Sequence, residues 1–518
     1  MEDRLRVAHR LALATVLCTI GLLRAAADDN ASFRTALESI RIDQLQGTVA
    51  SLTHPRLEGR EAGTPGGRAA AEYLRDQLAA LGLPGAGPDK GYFQRFGADY
   101  ENVLAMLSGR DPKRQGEVLL VGAHYDHVGY GHQGSRLGEA GVLHPGADDN
   151  ASGTAGVLQL ARAFRLLTPP PRRSILFAFW DAEEKGMLGS KHFAANPSLG
   201  PARVVLAVNL DMIGRIRENR VSVRGTRTSY GLRRLLSRHN DPPRLTLEFP
   251  WAMEANADHY PFFAEGIPVL MLHTDLHDDY HRPTDVAGAL DASGMQRIVR
   301  MLFSAAVELA DRPEVPAFRE AARTETDEMR LALERQTVTL PPRLGVSWES
   351  RSTPGRGLVV SDVAAGSAAA KAGLRPGDRI LRFNGREVRL DADLHAAVMI
   401  APSRVAVLIE HPGEPKPSEV AVELQGTPFR VGVTWREDDA EPGSVVITHV
   451  ADGSPAAKAG LKPGDRVYQV NGRAFSRELE LFERLRTLPA PLRFQIERDG
   501  QLRSVDVPVE PAPLREAA

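Results

Sequence analysis

The sequence has little of three features that would each indicate a particular class of protein. It contains one cysteine, Cys18, so no disulfide can form within the chain. Lysine and arginine number 64 against 66 aspartate and glutamate, with no basic block, which excludes the charge pattern of a nucleic-acid-binding protein. The apolar run from Leu11 to Leu23 is shorter than the roughly 20 residues that a membrane-spanning helix needs. The overall composition, 42% apolar and 25% charged, is typical of a soluble globular protein.

The N-terminal segment has the layout of a secretory signal. Three arginines precede the apolar run and three alanines follow it, ending at Ala27. We predict a signal peptide over residues 1–27, cleaved after Ala27, and a periplasmic or secreted protein with no stable membrane span once the signal is removed. A retained membrane anchor is the alternative. The residues before Cys18 do not form a lipoprotein box.

Five short polar segments interrupt apolar runs between residues 118 and 285. In chain order they are HYDH (His124 to His127), GADDNASG (Gly146 to Gly153), DAEE (Asp181 to Glu184), NLDMIG (Asn209 to Gly214) and DDYHRPTD (Asp278 to Asp285). Each places a carboxylate or imidazole where a strand-like run ends. Strands that alternate with helical patterns predict an α/β fold with a mixed, largely parallel sheet flanked by helices. Such sheets bind ligands beyond their carboxyl edges, so we expect the five segments to meet in one crevice.

Histidine together with several acids, and no cysteine, suits a hydrolytic site for two divalent ions, because imidazole and carboxylate bind Zn²⁺ well. A carboxylate can bridge two such ions about 3.5–4 Å apart. In their order and residue pattern, the five segments resemble the zinc-dependent exopeptidases of the bacterial leucyl aminopeptidase and glutamate carboxypeptidase II type, over roughly residues 31–311. The resemblance implies two Zn²⁺ per chain and five ligands, with His124 and Asp211 on one ion, Glu184 and His281 on the other, and Asp149 bridging them.

The resemblance also implies two catalytic residues. Glu183 would be the general base that takes a proton from a metal-bridged water and passes it to the leaving amine. Asp126 would accept the other ring N–H of His124 and fix its tautomer. Asp258 and His259 lie in ADHYPFF, which is similar to the family's SDH stretch with Ala257 replacing serine. For these two residues a pocket role stands beside a purely structural one.

The remaining polar residues near these segments have no counterpart in the family pattern. We expect ordinary surface or loop positions for four histidines: His127, His144, His273 and His277. We expect Asp148 and Asp181 to support loops rather than bind metal. Helices are predicted over about Arg68 to Leu81 and Ser293 to Asp311.

The C-terminal third contains an internal repeat with an offset of 87 residues. Ser367 to Arg386 and Ser454 to Arg473 match at 14 of 20 positions. This offset indicates two copies of one compact domain. In each copy an NG pair predicts a tight hairpin. The copies resemble mainly-β PDZ domains of bacterial exported proteases.

PDZ domains bind an extended peptide at a sheet edge, beside a loop of the form x-Φ-G-Φ. The matching peptide-binding residues are Leu344, Gly345 and Val346 in the first copy and Val431, Gly432 and Val433 in the second. Arginine, Arg343 or Arg430, replaces the first glycine of the common GLGF form. Binding of peptide or protein partners is therefore expected, and the alternative is that one or both copies act as spacers or dock on the catalytic domain.

We predict five segments in the chain: the signal peptide (1–27), a di-zinc peptidase domain (31–311), a charged linker (312–341), PDZ domain 1 (342–425) and PDZ domain 2 (426–512). The predicted function is that of an exported zinc-dependent aminopeptidase that hydrolyses the N-terminal bond of peptides. A carboxypeptidase or another amide hydrolase of the same fold is one alternative. A peptide-binding scaffold centred on the PDZ domains is another.

Overall fold

A computed structural model describes residues 30–131, 141–335, 343–349, 355–426, 428 and 430–509. The predicted signal peptide lies outside these ranges. The chain divides into two compact units, one comprising the residues through Thr326 with Asp499–Gln501, and the other comprising the rest. Within the described ranges, no helix combines the length and the apolarity needed to cross a membrane.

The first unit is built on an eight-stranded sheet. Its strands are β1 (Phe93–Phe96), β2 (Tyr100–Leu107), β3 (Glu117–His124), β4 (Ser174–Trp180), β5 (Arg203–Leu210), β6 (Arg220–Arg224), β7 (Thr246–Glu248) and β8 (Val269–His273). Their order across the sheet is β1-β2-β4-β3-β5-β8-β6-β7. The central strands β4, β3, β5 and β8 run parallel, as do β6 and β7, while the other pairs are antiparallel. The predicted mixed α/β sheet is confirmed.

Helices cover both faces of this sheet. They are α1 (30–38), α2 (Ile42–Leu52), α3 (Pro65–Ala80), α4 (Gly153–Leu166), α5 (Leu188–Ala195), α6 (Leu232–His239), α7 (His259–Ala264) and α8 (Ala292–Asp311). Alternate residues of β3 face opposite layers: Leu119 and Val121 pack in the core formed with α4 and α8, and Leu120 packs in the core formed with α5 and α7. Because both faces are buried, the central strands are apolar except for a few polar residues, most of them at the strand ends.

The two predicted helices are present, and their starts follow local capping. α3 begins at Pro65, three residues before the predicted start, because the Thr64 hydroxyl accepts a hydrogen bond from the backbone N–H of Gly67 and proline fits the first helical position. α8 begins at Ala292, where the Asp291 carboxylate accepts from the N–H of Gly294.

The second unit opens with helix α9 (Asp327–Arg335) and contains two small sheets. The first comprises β9 (Val346–Trp348), β10 (Leu358–Val363), β11 (Arg379–Phe383), β12 (Arg386–Glu387), β13 (Arg404–Glu410) and β14 (Ser418–Glu423), with helices α10 (Ala368–Lys371) and α11 (Asp391–Ile400). The second comprises β15 (Val433–Glu437), β16 (Val445–Val450), β17 (Arg466–Val470), β18 (Arg473–Ala474), β19 (Leu492–Arg498) and β20 (Gln501–Val507), with α12 (Pro455–Lys458) and α13 (Glu478–Thr487).

The two sheets have the same strand order, β14-β13-β11-β10-β9 and β15-β16-β17-β19-β20 read in opposite directions. In each copy the NG pair forms the predicted hairpin: Asn384 and Gly385 both have positive φ, as do Asn471 and Gly472. Each copy has its own hydrophobic core. The repeat in the sequence therefore corresponds to two copies of one β-rich domain.

Two stretches of the described part of the predicted linker have regular structure. Residues Glu320–Arg323 form a 3₁₀ turn in the first unit, and Asp327–Arg335 form α9. Glu325 accepts hydrogen bonds from Arg227 at 2.8 and 2.7 Å, and all of these groups are buried. Many of the charged residues in this segment therefore form ion pairs.

Candidate metal centre

The predicted metal ligands lie at the carboxyl ends of the central parallel strands. His124 is the last residue of β3, Asp211 directly follows β5, and Glu184 lies four residues after the end of β4. His281 lies on the loop after β8. The parallel register pairs His124 with Trp180, so β3 and β4 end at the same edge. The predicted crevice is therefore formed by neighbouring strands of one sheet.

Asp149 lies in a short turn, Ala147–Ser152, between this edge and α4. Its two carboxylate oxygens face different partners. Oδ1 is 3.3 Å from His124 Nε2, and Oδ2 is 2.9 Å from His281 Nε2. His124 Nε2 is also 3.6 Å from Asp211 Oδ1, and His281 Nε2 is 3.1 Å from Glu184 Oε2. This is the arrangement expected of a bridging carboxylate.

Within the described ranges, two groups of side chains have ligand atoms that all lie within 4.8 Å of one another. The His124 group consists of His124, Asp149 and Asp211. The His281 group consists of His127, Asp149, Glu184 and His281. The structure thus brings together all five predicted ligands and adds one residue, His127.

His127 lies in a loop, as expected, but it is not at the surface. Its side chain is buried, and its Nδ1 lies 2.8 Å from Glu184 Oε1. His144 and His277 are buried as well, and His277 Nε2 lies 3.2 Å from Asp148 Oδ2. The one sequence signal for His127 was its place in HYDH, because a loop that turns back to the sheet edge can present both of its histidines.

A cation suits the charge of this site. Burial acts to raise the pKa of Asp149 and Glu184, but hydrogen bonds from the neighbouring histidines outweigh it and hold both values below the usual range. Burial acts to lower the pKa of His281, but Asp149 and Glu184 raise it to about 11. Carboxylates that hold a proton this strongly on an imidazole would also bind a divalent ion, and the oxygen and nitrogen donors match Zn²⁺.

Asp285, the last acid of DDYHRPTD, supports the turn that holds Asp149. Its carboxylate accepts hydrogen bonds from the backbone N–H of Asp148 at 2.9 and 3.0 Å and from that of Asp149 at 3.1 Å. Asn150 adds a side-chain bond to the carbonyl of Leu210, at the end of β5. Sequence reasoning gave Asp285 no role, because nothing local indicates a partner 137 residues away.

Arg60 is a second supporting residue that the sequence did not indicate. It is fully buried and donates to the backbone carbonyls of Tyr125, Pro145 and Gly146 at 2.7–2.8 Å. It therefore ties the HYDH loop to the loop before Asp149. Burial lowers the pKa of this guanidinium to about 10, although nearby acids, Asp149 first among them, act to raise it.

Asp126 differs in detail from its predicted role. The Nδ1 atom of His124 lies 3.2 Å from the backbone carbonyl of Asp126 and 3.6 Å from the carboxylate, beyond hydrogen-bond range. The carboxylate instead accepts from the backbone N–H groups of Glu183 and Glu184 at 3.0 and 3.3 Å. The Asp126 backbone thus orients the histidine, and its side chain orients the acidic loop.

Glu183 lies beside the two groups but belongs to neither. Its neighbour Glu184 faces His127 and His281, so the adjacent acids serve different partners. Burial, together with the charges of Asp258 and Glu184, raises the pKa of Glu183 well above its usual range, against the opposing effect of His124. A buried carboxyl group with a raised pKa is suited to accept a proton and pass it on.

Asp258 is buried and accepts a hydrogen bond from the Ser190 hydroxyl at 2.5 Å. Burial raises its pKa to about 7, and the nearby acid Asp211 adds to this, while His124 opposes it. Asp181 accepts from the backbone N–H groups of Glu101 and Ala182, and so supports its loop.

In the PDZ-like copies the x-Φ-G-Φ loops precede β9 and β15. Gly345 and Gly432 have φ of +76° and +80°, and a Cβ at either would lie 2.3–2.4 Å from the Cβ of Ser367 or Ser454. Glycine is therefore required at both positions. Each adjoining arginine donates to carbonyls at the end of the neighbouring helix, from Arg343 to Ala401 at 2.8 Å and from Arg430 to Leu488 at 3.3 Å. The arginine thus fixes the loop to the helix.

The second copy has an open groove between its loop and α13. The lining residues include Val431, Val433, Trp435, Phe482 and Leu485. In the first copy the residues equivalent to Trp435 and Phe482 are Trp348 and His395, whose rings lie 5.0 Å apart edge to face. The two copies therefore present different side chains at the same place.

An α/β domain with acid and histidine groups at its carboxyl edge, followed by two β domains of this topology, is the architecture of a modular metallopeptidase. Residues 102–306 match the model of peptidase family M28, and residues 359–410 and 430–509 match PDZ-domain models. The chain contains a peptidase family M28 domain followed by two PDZ domains.

The chain is similar to several named proteins. Leupeptin-inactivating enzyme 1 of Streptomyces exfoliatus is 28% identical over 287 residues, which cover 51% of this chain and 58% of that enzyme. Leucine aminopeptidase 1 of Trichophyton rubrum is 28% identical over 271 residues, covering 47% and 68%. The crystal structure of Legionella pneumophila LapA aminopeptidase matches with a TM-score of 0.46 at 22% identity, covering 55% and 76%. The match thus spans little more than half of the Streptomyces enzyme.

Proposed function

We propose that this protein is an exported, two-zinc aminopeptidase that removes residues from the free amino ends of peptides. The observation that carries the proposal is the placement of Asp149, whose two oxygens face the His124 group and the His281 group separately. A bridging carboxylate between two sets of oxygen and nitrogen donors is typical of paired-metal hydrolases. The name of the Trichophyton relative favours an aminopeptidase.

His124, Asp149 and Asp211 would hold one ion, and Asp149, Glu184 and His281 the other. When bound, the ions supply Lewis acidity toward the scissile carbonyl and a water that is a nucleophile near neutral pH. The protein supplies the remaining steps. Glu183 takes a proton from the attacking water and delivers it to the leaving amine. Asp126 fixes the loop of Glu183, and Asp285 fixes the turn of Asp149, so that both side chains stay oriented toward the crevice.

The PDZ domains would add peptide binding to this hydrolase. The groove of the second copy is apolar and lies beside its x-Φ-G-Φ loop, where an extended peptide can pair with β15. Retaining a long peptide raises its local concentration at the catalytic domain. Export is proposed from the N-terminal signal pattern alone.

A carboxypeptidase or another amide hydrolase would use the same ligands, because the substrate's amine or carboxylate is recognised by loops outside the metal groups. A scaffold whose working part is the PDZ pair is a weaker alternative, since every predicted ligand position holds a residue able to bind metal.

The test is hydrolysis of aminoacyl-nitroanilides and N-blocked peptides by the purified chain, before and after chelation and zinc restoration. We expect cleavage of free-amine substrates only, lost on chelation and regained with zinc. Cleavage of N-blocked peptides would indicate a carboxypeptidase or endopeptidase instead. Full retention of about two zinc ions without any cleavage would overturn the enzymatic proposal in favour of the scaffold.

A further inference from the structure

His127 faces the same carboxylates as the predicted ligand His281. His127 is 1% exposed. Nδ1 is 2.8 Å from Glu184 Oε1 and 3.8 Å from Asp149 Oδ2. His281 Nε2 approaches the other oxygen of Glu184, Oε2, at 3.1 Å and the same oxygen of Asp149 at 2.9 Å. Two imidazole nitrogens and two carboxylates thus surround one point from different sides.

The two histidine rings approach that point at a steep angle. Their centroids are 5.5 Å apart and their planes are inclined by 79°. The nitrogen–oxygen separations between these donors are 2.8–3.8 Å, which brackets the roughly 3.3–3.6 Å between donors of one tetrahedral ion with bonds of about 2.0–2.2 Å. Counted over the described part of the chain, the His124 group has three such donors, His124, Asp149 and Asp211.

The backbone makes room for the His127 ring. Gly146 has φ of +55°, and a Cβ there would lie 2.4 Å from both Cγ and Cδ2 of His127. A side chain at residue 146 would displace the imidazole from Glu184. The glycine that begins the GADDN turn therefore serves both the turn and the position of His127.

The alternative to metal binding is that His127 only orients Glu184, through a hydrogen bond donated by Nδ1–H. The far nitrogen, Nε2, is buried and has no hydrogen-bond partner among the residues that the structure describes. Either tautomer leaves Nε2 unsatisfied, so the tautomer does not decide between the two roles. The convergence of Nδ1 with Asp149 and His281, in addition to Glu184, favours a shared ion, because an orienting hydrogen bond needs only Glu184.

We propose that His127 binds the ion of the His281 group directly through Nδ1, so that the two metal sites are unequal, with four protein donors in one and three in the other. This inference rests on the proposed metal centre. Its consequence is an order of loading and loss: the His281 site fills first and releases its metal last.

The test measures zinc affinity of the full chain by chelator competition, in the wild type and in the variants His127→Ala and His127→Gln. Glutamine can still donate a hydrogen bond to Glu184, so it separates the two roles. Loss of a residue that only orients a ligand typically weakens binding by about 10–100-fold. We therefore expect both variants to lose more than about 100-fold at the tighter site, with the weaker site unchanged. His192→Gln, on α5 and outside both groups, is the matched control.

A His127→Gln variant that keeps zinc within about 100-fold of the wild type would overturn the proposal and make His127 an orienting donor. The visible spectrum of the first bound Co²⁺ gives a second readout, since losing a nitrogen donor changes the bands in His127→Gln and not in His192→Gln. An unchanged Co²⁺ spectrum would likewise overturn it. A wild type that binds fewer than two zinc ions would instead contradict the proposed function, so the two failures are distinguishable.

Discussion

The two adjacent glutamates of DAEE, Glu183 and Glu184, have different surroundings. Glu184 faces two imidazoles, whereas Glu183 faces neither and keeps a raised pKa through burial and its acidic neighbours. Asp126 holds the backbone of both through its two carboxylate oxygens. In the proposed mechanism, a ligand and a base can thus follow one another in the chain because a third carboxylate, that of Asp126, fixes their loop.

Replacing Glu183 with glutamine should remove the base and keep the metal. We expect kcat on aminoacyl-nitroanilides to fall by about 10²–10⁴-fold, the usual contribution of general acid–base catalysis, with zinc content unchanged. Glu72→Gln, exposed on α3, is the control. Wild-type kcat in Glu183→Gln would exclude the assignment, and loss of zinc would make Glu183 a ligand.

At the scale of elements, the turn Ala147–Ser152 depends on the loop after β8. Asp285 from that loop accepts the N–H groups of Asp148 and Asp149, and Gly146 enters the turn with positive φ. Helices α6 and α8 are also joined by side-chain contacts. Glu308 on α8 lies 2.8 Å from His239 of α6 and 2.7 Å from Arg312.

Replacing Asp285 with alanine should misplace the bridging ligand. Two buried N–H groups would lose their acceptor, at a cost of about 1–3 kcal/mol each, and zinc affinity should fall by about 10–100-fold. Zinc competition and denaturant unfolding measure the two effects. Asp278→Ala, exposed in the same segment, should change neither. Wild-type zinc affinity in Asp285→Ala would show that the turn holds its position without this support.

Glu308 should make stability depend on pH in the acid range. Burial acts to raise its pKa, but hydrogen bonds from His239 and Arg312 and the charge of Arg238 lower it from 4.5 to about 2. A depressed pKa means that the unfolded chain binds the proton first, so the stabilisation is complete above about pH 5 and declines as pH falls toward 2.

Urea unfolding of the wild type and Glu308→Gln at pH 6 and pH 3 measures this effect. We expect the variant to be less stable at pH 6 by about 1 kcal/mol or less, because the pair is partly exposed, and the difference to shrink at pH 3. Glu314→Gln, exposed nearby, is the control. A difference that is constant with pH would mean that Glu308 acts by packing and not by charge.

At the scale of the whole molecule, the chain combines an M28 peptidase domain with two PDZ domains that have separate cores. The two PDZ copies share their topology and differ in the groove, where Phe482 of the second is replaced by His395 in the first. Peptide binding by one copy does not therefore imply the same specificity in the other.

Phe482→Ala should weaken peptide retention by the second copy. We expect KM for long peptides to rise by about tenfold, because the tethered concentration is lost, and KM for a single-residue nitroanilide to stay the same. His395→Ala is the matched change in the first copy. If both substrates respond alike to Phe482→Ala, or neither responds, the groove does not deliver substrate.

The sequence by itself determined the order of the elements, the ligand-bearing segments and the repeat, because strand ends, turn residues and periodicity are local properties of the chain. The sequence could predict metal ligands such as Asp149, Glu184 and His281, since these residues lie in segments with a distinctive residue pattern. Only the tertiary structure placed His127, Asp285 and Arg60 at the site. Asp285 meets Asp148 across 137 residues and Arg60 meets Tyr125 across 65. Contacts over such distances depend on how loops return to the sheet edge, which no local pattern encodes.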